Sequence, residues 1–160
     1  MISADQPATG HTARRAPAAA EAARTDIGYL LAKASQHWNV LLAEAFRLQG
    51  YGEVRPSYGS VLVPLFEEDG LRMNELAARA RLAKQTMTTM VRLVERAGLV
   101  QRRADPGDGR ATRVELTAQG RRFQPVAARE LAKLEARITA RLGESRTAAL
   151  RASLAQLIET

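Results

Sequence analysis

The residues with the most chemistry to offer in this 160-residue chain lie between Arg79 and Arg113. Nine cations (Arg79, Arg81, Lys84, Arg92, Arg96, Arg102, Arg103, Arg110 and Arg113) are set against Glu95, Asp105 and Asp108. This places +6 of the chain's net +7 in one short stretch. Around them, Met87, Met90, Val91 and Val94 form one apolar stripe of a helix that begins at Lys84. The opposite face then presents Lys84, Gln85, Thr88, Thr89 and Arg92. Gln can pair bidentately with adenine, Lys or Arg with guanine, and a Thr methyl can pack on a thymine methyl. Arg102, Arg103 and Arg113 suit phosphates, which position a protein on DNA without specifying sequence. Arg110 follows a Gly-rich tip and has two readings: insertion into a narrow minor groove, or a salt bridge to Asp108 or Asp105 that holds the loop.

These side chains must be positioned by a compact run of elements. Helices are expected at about 73–80 and 84–97, after a short strand at Leu71–Met73. Strands follow at Leu99–Ala104 and Arg110–Leu116; in the second, Thr112, Val114 and Leu116 alternate with Arg113 and Glu115. Asp105-Pro106-Gly107-Asp108-Gly109 reads as a turn-rich loop between them. Upstream, Ile27, Leu30, Leu31, Ala34, Trp38, Leu41, Leu42 and Ala45 give an amphipathic helix from Asp26 to Gln49. Pro56 opens the next helix and Gly70 closes it. Thr117 is the expected N-cap of a long helix to about Leu142, with a stripe of Phe123, Ala127, Leu131, Leu134 and Ile138 and a bend at Pro125. A last helix spans about 144–158. The first helix and the last two carry more apolar surface than one small lobe can cover, so a second copy of the chain is expected to bury it.

Composition narrows the function. A pI near 10.7 points to polyanions. No apolar run approaches the roughly 18 residues of a spanning helix, and no secretory signal is visible, so no membrane partner and a cytoplasmic location are expected. The absence of cysteine excludes disulfides and thiolate metal sites. Only His11 and His37 are available as imidazoles, too few for a metal site, and no nucleophile elbow, phosphate loop, dinucleotide fingerprint or zinc-protease motif occurs. Neither a cofactor nor an enzyme activity is expected. Residues 1–25 bury almost nothing and read as a disordered tail, in which Arg14 and Arg15 could touch phosphates.

The order and spacing of these motifs resemble the winged helix-turn-helix of the MarR (multiple antibiotic resistance regulator) family. The matching positions are Leu71, Glu75-Leu76-Ala77, Thr86 and Thr88 on the recognition helix, Gly98-Leu99-Val100, Asp108-Gly109-Arg110, and Leu116-Thr117 with Gly120. The resemblance covers about 26–158. It implies a homodimer that represses from a near-palindromic operator on double-stranded DNA and is released by a ligand bound between the dimer helices and the DNA lobe. It also makes Asp108 and Arg110 the wing pair and adds Thr86 to the DNA-contacting set. Two positions depart from the pattern: Arg72 and Ala83 stand where Ser or Thr often caps a helix, a cap worth about 1 kcal/mol. Gly109 also shortens the wing tip.

The expected fold is therefore mainly α with a small β component. It comprises a tail at 1–25, a dimerisation and linker helix at 26–54, a DNA-binding lobe at 55–117 and C-terminal dimerisation helices at 118–160. His37, Trp38, Arg55 and Tyr58 are candidates for an effector pocket suited to a small aromatic or anionic ligand, although Trp38 on the apolar stripe equally suits core or dimer packing. A sequence-neutral architectural DNA binder is the alternative, since charge alone gives non-specific binding.

Overall fold

A computed structural model describes residues 24–159. The expectations for the tail, including Arg14, Arg15 and His11, lie outside the described residues, except that Arg24 and Thr25 are helical. The chain divides into two units within its first long helix, between His37 and Trp38. That helix, α1 (Ile27–Leu48), starts where the Asp26 carboxylate accepts the Tyr29 N–H at 3.1 Å.

From Trp38 onward the chain builds one core. A 3-10 turn at Pro56–Tyr58 leads into α2 (Gly59–Glu67). The two-residue strand β1 (Leu71–Arg72) precedes α3 (Met73–Arg79) and α4 (Lys84–Arg96). The hairpin strands are β2 (Val100–Asp105) and β3 (Asp108–Leu116), followed by α5 (Ala118–Leu142) and α6 (Glu144–Glu159). The sheet is antiparallel in the order β1-β3-β2. Met87, Val91 and Val94 of α4 are fully buried against Val61, Leu65, Leu76, Leu99 and Val114. Phe123 of α5 meets Phe46 edge-on and also Tyr51, each at 4.9 Å between ring centroids.

Local chemistry accounts for the joints. Arg72 has no side-chain cap to give α3, but Glu75 reaches back to accept the Arg72 N–H at 2.7 Å, half of a capping box. Gly98 closes α4 at φ +75°. Thr117 caps α5 as expected: its hydroxyl accepts the Gly120 N–H and donates to the Gly98 carbonyl. Asp69 accepts the Leu116 N–H at 2.8 Å and pairs with Arg121, tying the turn before β1 to β3 and α5. α5 runs unbroken through Pro125, so the expected bend does not interrupt the helix. The turn between α3 and α4 passes through Arg81 at φ +52°, a left-handed conformation that costs a non-glycine residue about 1–2 kcal/mol. Its guanidinium bonds the Ile158 carbonyl at the end of α6.

The hairpin is tighter than the five-residue loop expected from sequence. Asp105 pairs with Asp108, leaving Pro106 and Gly107 as the turn. Ala104 pairs with Thr112, so Gly109, Arg110 and Ala111 bulge from β3 opposite the Ala104–Asp105 step.

A row of arginines crosses the sheet: Arg72 lies opposite Arg113, and Arg113 opposite Arg103. Like charges in that register repel. Asp105, whose side chain is wholly buried, answers two of them: Arg72 Nε donates to Oδ2 at 2.6 Å, and Arg113 Nε lies 3.0 Å from the same oxygen without hydrogen-bond alignment. The Arg72 bond, followed by the Gly107 N–H on Oδ1, holds the Asp105 carboxyl far below the usual carboxylate range despite burial.

Two outcomes follow. A Cβ on Gly120 would sit 2.1 Å from the Leu99 carbonyl oxygen, whereas one on Gly109 meets nothing within 4 Å. Gly120→Ala is expected to cost about 3 kcal/mol or to prevent folding, read as the urea midpoint, while Gly109→Ala leaves that midpoint in place. Because the folded-state pKa of Asp105 lies below the unfolded value, its contribution is complete above the ordinary Asp value near 4 and is lost on acidification below it. The melting temperature is expected to stay level from about pH 8 to 5 and to fall below about pH 4. Asp105→Asn should lower it at neutral pH and soften that acid limb; an unchanged neutral value would remove the cluster from the account.

Candidate nucleic-acid interface

The segment from α3 to β3 assembles a basic surface from two elements. On α4 the apolar stripe is buried at Met87, Val91 and Val94 and half-buried at Met90, which leaves Lys84, Gln85, Thr86, Thr89 and Arg92 exposed and Thr88 half-buried. The stripe therefore sets the orientation of the polar face. Ala83 offers no side-chain acceptor at the start of α4, so the first-turn N–H groups stay open to an outside acceptor. The Thr88 hydroxyl donates to the Lys84 carbonyl at 2.8 Å and the Thr89 hydroxyl to the Gln85 carbonyl at 3.2 Å.

The second element is the hairpin. The bulge in β3 takes Arg110 out of the regular ladder, and the Asp108 carboxylate accepts the Arg110 backbone N–H at 3.1 Å. Asp108 thus shapes the backbone beneath Arg110 and does not pair with its guanidinium. Asp105 is committed to Arg72 and Arg113. Of the two readings of Arg110, the salt bridge is not formed, and the guanidinium has no ion-pair partner among the described residues. A cavity of about 430 Å³ lies between the two elements, lined by Arg72, Asn74, Lys84, Arg102 and Arg110 with Asp108 the one carboxylate. Cations gathered on a concave surface concentrate positive potential there.

The expected phosphate contacts separate into different environments. Arg103 is exposed and, among the described residues, bonded only to the Gln101 side chain. Arg102 is paired with Glu95 at 2.9 Å, bracing β2 against the end of α4. Arg113 pairs with Asp105 and donates to the Gly70 carbonyl at 3.2 Å, while 39% of its side chain stays exposed. The buried carboxylate beside it needs a cation, so Arg113 has a structural task whether or not it also meets a phosphate. Arg79 pairs with Glu68. Lys84, Arg92, Arg96, Arg103 and Arg110 have no ion pair among the described residues. Sequence reasoning missed Asp105 and Arg72 as the brace of this surface; the Asp105-Pro106-Gly107 turn was legible, its partners were not.

The candidate effector residues also separate. Trp38 and Arg55 line a cavity of about 400 Å³ together with Leu62, Phe66, Phe123 and Gln124. Tyr58 does not line it; at 6% exposure it belongs to the core, because the turn at Pro56–Tyr58 points its ring inward. His37 is exposed on α1. Among the described residues no group of carboxylates and imidazoles could hold a metal ion, and no helix is long and apolar enough to cross a membrane.

Comparison with known proteins agrees with this geometry. The model of the MarR family matches residues 56–112. An HTH-type transcriptional repressor of Mycobacterium tuberculosis is 38% identical over 78 residues, covering 49% of this chain and 56% of that protein. The chain thus spans little more than half the length of the curated relatives it matches. The crystal structure of a probable transcriptional regulator from Pseudomonas aeruginosa superposes with a TM-score of 0.72 at 30% identity, covering 83% of this chain and 97% of the other. The repressor CouR, solved on a 23-mer DNA duplex, superposes with a TM-score of 0.71 at 26% identity over 83% of this chain and 92% of its own. These relatives are regulators, not enzymes, and with the family model, the matched fold and the wing sequence in agreement, the chain belongs to the MarR family of transcriptional regulators.

Proposed function

We propose that this chain is the protomer of a homodimeric cytoplasmic repressor that grips a near-palindromic operator and releases it when a small aromatic or anionic ligand binds. The observation that carries the reading is the pairing of an exposed polar face on α4 with an unpaired Arg110 on the bulged wing, on either side of one basic cavity. In a helix-turn-helix the second helix enters the major groove. A wing arginine beside it suits the minor groove. The likeness to a repressor solved on DNA supports the same docking.

The dimer rests on unsatisfied apolar surface. No residue of α6 is buried, although Leu150, Leu157 and Ile158 project from it. Ile27, Leu30 and Leu31 are equally exposed on α1. Helices of this kind are stabilised by packing and not by propensity, and a second copy supplies it. On this reading residues 26–54 and 118–160 form the dimerisation region and 55–117 the DNA-binding lobe.

The ligand reading rests on the cavity at Arg55. Its volume suits a small molecule. Trp38, Phe66 and Phe123 offer rings, and Arg55 a cation for a carboxylate. Leu62 and Phe66 of α2 form part of its wall, and α2 packs on α4, so a ligand that displaces α2 has a short route to the reading helix.

Selection from a random DNA pool at low and near-physiological salt tests the function. Enrichment of a two-fold site with half-sites about one helical turn apart is expected; binding without enrichment that vanishes in salt would favour the architectural alternative. Arg110→Ala should weaken operator binding about tenfold at an unchanged melting temperature, whereas Arg113→Ala should lower the melting temperature first. Phenolic acids should raise the melting temperature of the unaltered protein and not of Arg55→Ala; no rise with any of them would count against this ligand class.

A further inference from the structure

We infer that Thr88 and Thr89 read DNA through their methyl groups, so that α4 selects half-sites presenting thymine methyls in the major groove. The inference rests on the operator-binding reading above and deepens it. A threonine hydroxyl has one proton to donate. In Thr88 that proton goes to the Lys84 carbonyl, in Thr89 to the Gln85 carbonyl. Each bond runs back along the helix to the residue four before it, drawing the oxygen against the backbone. Neither side chain then has a donor left for a base edge. What each can offer an outside surface is its γ-methyl and the spare acceptor capacity of its oxygen, and of these only the methyl complements thymine, whose major-groove edge carries no donor.

The neighbours on that face fit the same target. Gln85 lies three and four residues before Thr88 and Thr89, on the same side of α4. Its amide is exposed and has no partner among the described residues, and a glutamine amide matches the N6 and N7 pattern of adenine. The base paired with adenine carries the one methyl group the four bases display in the major groove. An amide for adenine and methyls for thymine, one helical turn apart, make this face selective for A·T pairs. Lys84 and Arg92 flank it with charge suited to phosphates.

The experiment starts from the operator enriched by the unaltered protein. Thymines in each half-site are replaced singly by deoxyuridine, which removes the methyl and keeps every hydrogen-bonding group. At the thymines facing α4 the affinity should fall about fourfold, the effect of one buried carbon. Thr88→Val and Thr89→Val keep a methyl without a hydroxyl and should retain this discrimination. Thr88→Ser and Thr89→Ser keep the hydroxyl without the methyl and should lose it. All four conserve the fold's buried stripe, and their melting temperatures are measured alongside. Equal affinity for thymine and uracil operators, or loss of discrimination in the Val variants, would overturn the inference while leaving operator binding intact. Failure to enrich any site would overturn the operator reading itself, and the inference with it.

Discussion

The buried Asp105 carboxylate is the constraint on which the basic surface depends. A sheet that places Arg72, Arg113 and Arg103 in one row has little reason to stay paired. One oxygen of Asp105 meets two of the three. Its other oxygen takes the N–H of Gly107 and forms the hairpin turn. Arg72 is also the N-cap residue of α3, so a single side chain links the start of the helix-turn-helix, the middle of the sheet and the base of the wing. Losing an arginine partner leaves the buried Asp105 carboxylate short of compensation, although the arginines themselves stay partly in water.

Much of this fold was legible because its helices obey one periodicity. Met87, Val91 and Val94 fixed which way α4 faces, and the alternation from Thr112 to Leu116 fixed β3. Thr117 was legible as a cap because a hydroxyl residue there immediately precedes the apolar stripe of a helix. The parts that were not legible are those decided by pairing across the chain. Arg113 reads as one more surface cation until its opposite number in β2 and the carboxylate at Asp105 are known. The bulge at Gly109–Ala111 follows from the register between two strands, which neither strand states alone. Tyr58 could have faced the cavity at Arg55 or the core, and only the 3-10 turn beneath it decides. Gly120 matches the family pattern, but the reason for it, the Leu99 carbonyl against its α-carbon, comes from packing.

The two ends of the chain and its middle divide their labours differently. In the middle, α3, α4 and the sheet bury Leu71, Leu76, Met87, Val91, Val94, Val100, Val114 and Leu116 within the lobe. In α6 no residue is buried. Arg129 and Lys133 flank a buried Glu130 on α5, and Lys133 contributes most to holding that carboxylate ionised. α5 thus satisfies its own polar interior while α6 leaves its apolar side unspent. Where a protein finishes its core in one region and leaves it unfinished in another, the unfinished region is the one that another surface completes.

The thirteen residues of α4 carry two instructions that do not overlap. Its inner residues hold the lobe together. Its outer ones, Lys84, Gln85, Thr89 and Arg92, are exposed and lie outside the buried core. Substitutions on the outer face therefore arise almost free of any folding penalty, while those on the inner face are purged. A duplicated copy of this gene could drift to a new set of DNA sites through a handful of neutral steps, keeping the same scaffold. The architecture separates what must be inherited from what can be reassigned, and regulatory networks can be rewired one helix face at a time.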